Sequence, residues 1–271
     1  MKIAVKRSWK LCPGGVLLAL WFWSCSLPHE PGPQPSTIVK TEFDSAMNVF
    51  GVLRLDGQPR SSYFYIERTY EYQELDDIPW DSTFIPIVID ATVQVQGLHE
   101  DTFTYTFTQE LDTLRGEIYT HPDFLPVAGE TYALAITHPD FPTITDTTLV
   151  PFPPVLLGDS VDVLGQMVFF VIRTKADTDL YDVYILSPAD SIHYRSVNHD
   201  GEGELHLFFE TEAEPEDPLE VQIYGYDANL MDYLTAMITL KPQTYNETVA
   251  TVTGGYGVFG SVSVATFTRP R

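Results

Sequence analysis

Between Thr102 and Thr108 the chain alternates without a break. Phe103, Tyr105 and Phe107 take one side, and Thr102, Thr104, Thr106 and Thr108 take the other. A period of two is the signature of an extended strand whose faces differ, because successive side chains point to opposite sides of a sheet. A helix would scatter these three rings around its circumference. Such a strand must bury its aromatic side against another layer. Val49–Leu55, Ser62–Tyr70, Ile85–Asp90, Ala91–Gln96, Thr113–Tyr119 and Thr131–Thr137 supply further strand material. Asp56-Gly57 suits a hairpin turn, and Pro126–Glu130 suits a second turn. Hydrophobic residues make up 44% and aromatics 13%, enough for packed cores and too much for a disordered chain. Thr, Tyr, Phe and Val are plentiful, and good helix stretches are scarce.

Three prolines in Pro151-Phe152-Pro153-Pro154 cannot donate to a sheet interior, so this segment marks a boundary. Beyond it, Met167–Arg173, Tyr181–Leu186, Leu205–Glu210 and Leu219–Tyr226 read as strands, with Thr211–Pro218 between the last two as a solvated acidic loop. Leu230, Leu234, Met237 and Ile238 recur at helical spacing. They predict one short helix within Asp227–Leu240, with Asp227 or Asn229 as its N-cap. Gly254, Gly255, Gly257 and Gly260 then predict a bulged or closely approached strand, in which a Cβ at Gly255 or Gly257 would obstruct the backbone. A phosphate-binding loop would need a following helix with Lys, but Ser261-Val262-Ser263-Val264 alternates as a strand. The reading is a mainly β protein of two tandem β-sandwich domains, immunoglobulin- or fibronectin-like, at 41–151 and 152–271. The one short helix falls in the second.

The amino end has a different character. Lys2, Lys6, Arg7 and Lys10 precede the apolar run Val16–Trp23, and Ser24-Cys25 follows. That order is a secretory signal peptide, and its apolar part is shorter than the ~20 residues that span a bilayer. A small residue before cysteine resembles a bacterial lipoprotein cleavage site, although Phe22 stands where an aliphatic residue is usual. Residues 1–24 are therefore expected to be removed and Cys25 to carry a lipid that holds the chain on the membrane. Residues 25–40 form a proline-rich tether. Its Pro28–Thr37 part would reach about 30 Å in polyproline conformation. Cys12 would leave with the signal, so no disulfide is expected. Four of the 15 Lys and Arg precede Cys25, leaving 11 against 38 acids and a net charge of −27. Such a charge disfavours nucleic acid as a partner.

No catalytic set, metal site or cofactor is expected, and the ligand-binding residues are unknown from sequence. His121-Pro122-Asp123-Phe124 and His138-Pro139-Asp140-Phe141 read as two similar proline turns rather than metal ligands, because no third ligand is spaced to help. Asp177, Asp179 and Asp182 read as a surface turn, lacking the glycine and glutamate of a calcium loop. Tyr72 and Trp80, in the acidic Glu71–Ser82 loop, are expected to fold back over the core edge.

Several short segments together resemble the domain-of-unknown-function family 4249, envelope lipoproteins of Bacteroidota-type bacteria. They are the Cys25 anchor, Val49-Phe50-Gly51-Val52-Leu53, Ala91-Thr92-Val93-Gln94-Val95, Gly129-Glu130-Thr131-Tyr132-Ala133-Leu134, Asp232-Tyr233-Leu234 and the closing Gly254–Gly260. The resemblance implies two sandwich-like domains and an outer-membrane address in the cell envelope. Its genes commonly lie beside TonB-dependent outer-membrane receptors, which makes such a receptor the implied partner. It transfers no functional residue beyond Cys25. The expected role is a non-catalytic binding or accessory module. The alternatives are an envelope hydrolase acting on glycan or peptide, and a purely structural surface or adhesion protein.

Overall fold

The computed structural model describes residues 45–69, 87–98, 101–110, 116–198, 201–213, 217–236 and 250–269. Cys25, the signal peptide, the tether, Tyr72 and Trp80 lie outside them. Among the described residues there are fourteen strands and one helix. In chain order the first strands are β1 (Met47–Leu55), β2 (Tyr63–Arg68), β3 (Thr92–Gln96), β4 (Thr102–Glu110), β5 (Gly116–Thr120), β6 (Thr131–His138) and β7 (Phe141–Leu149). They are followed by β8 (Val155–Leu164), β9 (Met167–Thr174), β10 (Leu180–Leu186), β11 (Ser191–Val197), β12 (Gly203–Glu210) and β13 (Leu219–Tyr226). The helix α1 (Ala228–Ala236) and the long strand β14 (Tyr256–Arg269) close the chain. The protein is mainly β.

Eleven strands form one continuous sheet in the order β11-β10-β13-β14-β1-β2-β5-β4-β3-β6-β7, and β12-β9-β8 form a second. Two large hydrophobic cores result, with a third, smaller cluster of Val52, Leu230, Val258 and Val262 under α1, against which Phe50, Tyr63, Tyr224, Tyr226 and Tyr233 pack. In the first, β1 and β2 bring Val49, Leu53, Phe64 and Ile66 against Val93, Val95, Tyr105, Leu134, Ile136 and Ile144 of β3, β4, β6 and β7. The curling sheet thus encloses its own core in two layers. In the second, Val168, Phe170, Ile172, Leu207 and Phe209 of the small sheet face Tyr181, Val183, Ile185, Val221 and Ile223 of β10 and β13, a β-sandwich. Pro151–Pro154 separates the two cores along most of the chain, but β14 belongs to both. Its first half pairs parallel with β1, Gly257 beside Val49, and its second half pairs antiparallel with β13. Phe259 fills the first core while Phe267 packs on the second. Asp44–Arg271 accordingly clusters as one compact unit.

Local readings meet the structure unevenly. The Thr102–Thr108 alternation is strand β4. The helix is capped as expected: Leu230 N donates to Asp227 Oδ1 at 3.1 Å. Gly257 has φ +99, and a Cβ there would strike the Val49 carbonyl. Other readings change. Ile85–Asp90 is not a regular strand in its described part, where Ile87 makes a lone bridge to Glu67. The buried Tyr119 hydroxyl donates to Val88 O and accepts from Ala91 N, so this segment crosses the core edge instead of running along a neighbour. Seven residues, not a tight pair, join β1 to β2, with Gly57 and Arg60 in the left-handed region. The Thr211–Pro218 loop is not wholly solvated. Thr211 and Ala213 are buried, and the Asp190 carboxylate accepts from Thr211 Oγ1 and Glu212 N.

Candidate functional site

Alternation along the large sheet has a second consequence. The residues between the core-facing ones must share the opposite face. On β13, Leu219, Val221 and Ile223 point inward, which leaves Gln222, Tyr224 and Tyr226 outward. By register, Asp182 of β10 lies beside Tyr224, and Tyr184 beside Gln222. His193 and Arg195 of β11 lie beside Tyr184 and Asp182. Across β14, the same face continues to Phe50 of β1 and Tyr63 of β2. Helix α1 sits on this face over β14. Leu230 reaches to within 2.5 Å of where a Cβ on Gly260 would be, so the glycine is what lets the helix approach.

Two groups of rings therefore flank α1. Toward β1, Phe50 packs against Tyr233 of the helix at 5.8 Å between centroids and against Tyr63 at 6.3 Å. Toward β10, Tyr184 stacks on His193 at 4.5 Å and meets Tyr224 edge-on at 5.5 Å, and Tyr224 lies parallel to Tyr226 at 6.4 Å. The Arg54 guanidinium lies 5.6 Å from the Tyr224 ring centre. All these rings are half-buried except the more exposed His193, so each shows an edge or hydroxyl to solvent.

The floor of the second group is an ion pair. Arg195 donates from Nε to Asp182 Oδ1 at 2.7 Å and from Nη2 to Oδ2 at 2.6 Å, a two-pronged contact, and His193 Nε2 stands 3.1 Å from Oδ1. Asp182 is 1% exposed. Burial alone would raise its pKa, but hydrogen bonds from Arg195 and then His193 override that and hold it below the ordinary carboxylate value. Burial raises the Tyr226 and Tyr184 phenols, so both stay neutral hydrogen-bonding groups. Flat rings with polar tips on a rigid sheet, held over a fixed charge pair, suit recognition of another molecule's surface.

The aspartates read as one turn have separate fates. Asp177 accepts from Phe152 N at 3.0 Å, Asp179 donates its amide to Tyr226 O, and Asp182 is the buried strand residue just described. Asp182 is thus a correction: its partners lie eleven and thirteen residues on, across a strand pair, where local spacing carries no signal. The two His-Pro-Asp-Phe segments form matching turns, in which the Asp123 and Asp140 amides donate to Nδ1 of His121 and His138. His138 also reaches Asp90, and His121 packs against Phe103 and Tyr105. Among the described residues, no group of three or more His, Cys, Asp or Glu is placed to hold a metal ion.

A second cluster lies where β7, β14 and α1 meet. Asp227, Thr148 and Ser261 are all buried there and bonded to one another. Burial pushes the Asp227 carboxyl up to about 6. Both its oxygens are occupied by protein groups, so the cluster ties elements together. The tyrosine face was missed in the sequence, although the Gln222, Tyr224, Tyr226 alternation was visible and would have pointed to one edge of it.

No family model matches the chain, and no curated protein matches it. Among solved structures, the chicken interferon gamma receptor alpha chain is similar at 10% identity, covering 68% of this chain and 90% of that one, with a TM-score of 0.23, a likeness too slight to carry an argument. Among the described residues, no helix is long and apolar enough to cross a membrane.

Proposed function

We propose that the protein is a non-catalytic binding or accessory module of the cell envelope, held at the outer membrane by a lipid on Cys25. The tyrosine face beside α1 is its contact surface. The observation that carries the reading is the two groups of half-buried rings that flank α1, with the Asp182–Arg195 pair under the second, across β1, β13, β10 and β11. The signal-peptide layout ending at Ser24-Cys25 supports the anchor. The resemblance to family 4249 supports the address and makes a TonB-dependent receptor the proposed partner. The hydrolase alternative has less behind it, since the most perturbed carboxylate among the described residues, Asp227, is 4% exposed and fully engaged.

The test is co-purification from cross-linked envelopes of a lipoprotein-competent host, comparing three forms. Wild type is expected to bring down an outer-membrane receptor. Tyr184→Ser with Tyr224→Ser should remain membrane-bound yet lose the receptor. Cys25→Ser should lose palmitate labelling and leave the membrane fraction. A receptor recovered equally by the tyrosine variant contradicts the assigned face, and equal labelling of Cys25→Ser contradicts the anchor.

A further inference from the structure

The small sheet has a face that its position does not explain. One side of β8, β9 and β12 fills the second core. The other side should be polar, as in most antiparallel sheets with one face in water. Instead Leu157 and Leu164 of β8, Met167, Phe169 and Val171 of β9, and Phe208 of β12 point outward. Their register shows it: Phe208 lies across from Phe169, Leu164 from Met167, and Leu157 from Val171. Each is the neighbour of a core residue, so none can turn inward. Leu164 is 76% exposed, Phe208 65% and Met167 41%. Singly exposed apolar residues need no explanation, but a contiguous cross-strand patch marks a contact surface.

The charges around the patch decide what it fits. Glu204, His206 and Glu210 lie on the same outward face of β12, with His206 Nε2 3.5 Å from the Glu204 carboxylate and Arg173 of β9 beside Glu204, and Asp162 lies on that face of β8 across from Phe169. Glu212 is exposed just beyond Glu210. A second copy would set these acids against their own images, and an anionic lipid surface would be repelled. We propose that the outer face of the β8–β9–β12 sheet is a docking surface for a protein whose contact area is apolar at its centre and edged with Lys or Arg. This surface lies on a different sheet from the tyrosine face, and the proposal stands independently of the role assigned to that face.

The probe is an amphipathic helical peptide of leucine and lysine, with a counterpart in which glutamate replaces lysine. Both are titrated into the full chain by calorimetry, and amide hydrogen exchange maps the contact. The lysine peptide should bind at least about tenfold more tightly than the glutamate one, weaken as salt rises, and slow exchange in β8, β9 and β12. Leu164→Ser, Met167→Ser and Phe208→Ser together should weaken it about tenfold or more, whereas Tyr184→Ser should not. Phe208→Ser alone, at a highly exposed position, keeps the test valid if the triple variant does not fold. Equal binding of both peptides, unchanged binding by the variants, or protection confined to β10 and β13 overturns the proposal. So does a dimer by sedimentation that Phe208→Ser dissociates, which assigns the face to a second copy. Flotation with phosphatidylcholine vesicles that the same variant abolishes overturns it in favour of a membrane surface.

Discussion

Thr148 Oγ1 lies 2.5 Å from Asp227 Oδ2 and 2.9 Å from Ser261 Oγ, and Ser261 Oγ in turn lies 2.7 Å from the Leu149 carbonyl oxygen. These three contacts form a row of oxygens that ends on a group able only to accept. Each contact needs one hydrogen, and the two hydroxyls supply two. Protonated Asp227 can supply the third to Thr148, whereas ionised Asp227 leaves the single Thr148 hydrogen to be shared between Asp227 and Ser261. Oδ1 meanwhile accepts from the amides of Leu230 and Ser261. The charged neighbours favour the protonated state. Burial is the main cause, opposed by the Thr148 and amide hydrogen bonds, and Asp179 adds a like charge. Asp177 and Asp232 stand behind Asp179, and Asn229 links the helix to Asp146.

A carboxyl whose folded pKa is raised from 3.8 to about 6 contributes stability that is full below pH ~4 and is lost as pH rises through 6. Its share between pH 4 and 7.5 is at most about 3 kcal/mol. Asp227→Asn keeps a donor for Thr148 and cannot ionise. Urea unfolding of wild type and Asp227→Asn across that range is expected to show a gap that favours the variant increasingly as pH rises. Parallel pH profiles would show that Asp227 is ionised throughout.

Asp182 and Arg195 give a second prediction. Removing Arg195 leaves the buried Asp182 charge with His193 alone, while replacing both Asp182 and Arg195 can be nearly neutral. Arg195→Met is expected to cost about 3 kcal/mol, and Asp182→Leu with Arg195→Met clearly less. Additive losses in urea midpoints would contradict the coupling.

Gly257 tests the seam between the ends of the chain. Its φ of +99 and its approach to the Val49 carbonyl leave no room for a side chain. Gly257→Ala should lower stability by about 1–3 kcal/mol, and because β14 serves both cores the whole unit should melt at one lower temperature. Two separate transitions would mean that β14 does not couple the cores.

What was legible in the sequence was local. The strand period of Thr102–Thr108, the Asp227 cap three residues before Leu230 and the glycine at 257 each declare themselves within a few residues. Strands β7, β8 and β11 do not. Phe141–Leu149 is largely threonine with a proline near its start, and Ser191–Val197 is an edge strand with little to bury. The parallel pairing of β14 with β1 joins opposite ends of the described chain, and no local pattern encodes it. The tyrosine face is hidden for the same reason, since β1, β2, β13, β10, β11 and α1 each contribute one to three residues. Asp182 looked like one of three turn aspartates because Arg195 lies across a strand pair.

The most direct test of the binding-module account is site-specific photo-cross-linking in the envelope. A benzophenone amino acid is placed at Tyr184 in one form of the chain and at Gln94 in another, a position on the exposed side of β3 away from both proposed surfaces. The account predicts a discrete adduct with an outer-membrane receptor at Tyr184 and none at Gln94. Equal adducts at both positions, or none at Tyr184 in a chain that is folded and membrane-bound, would contradict it.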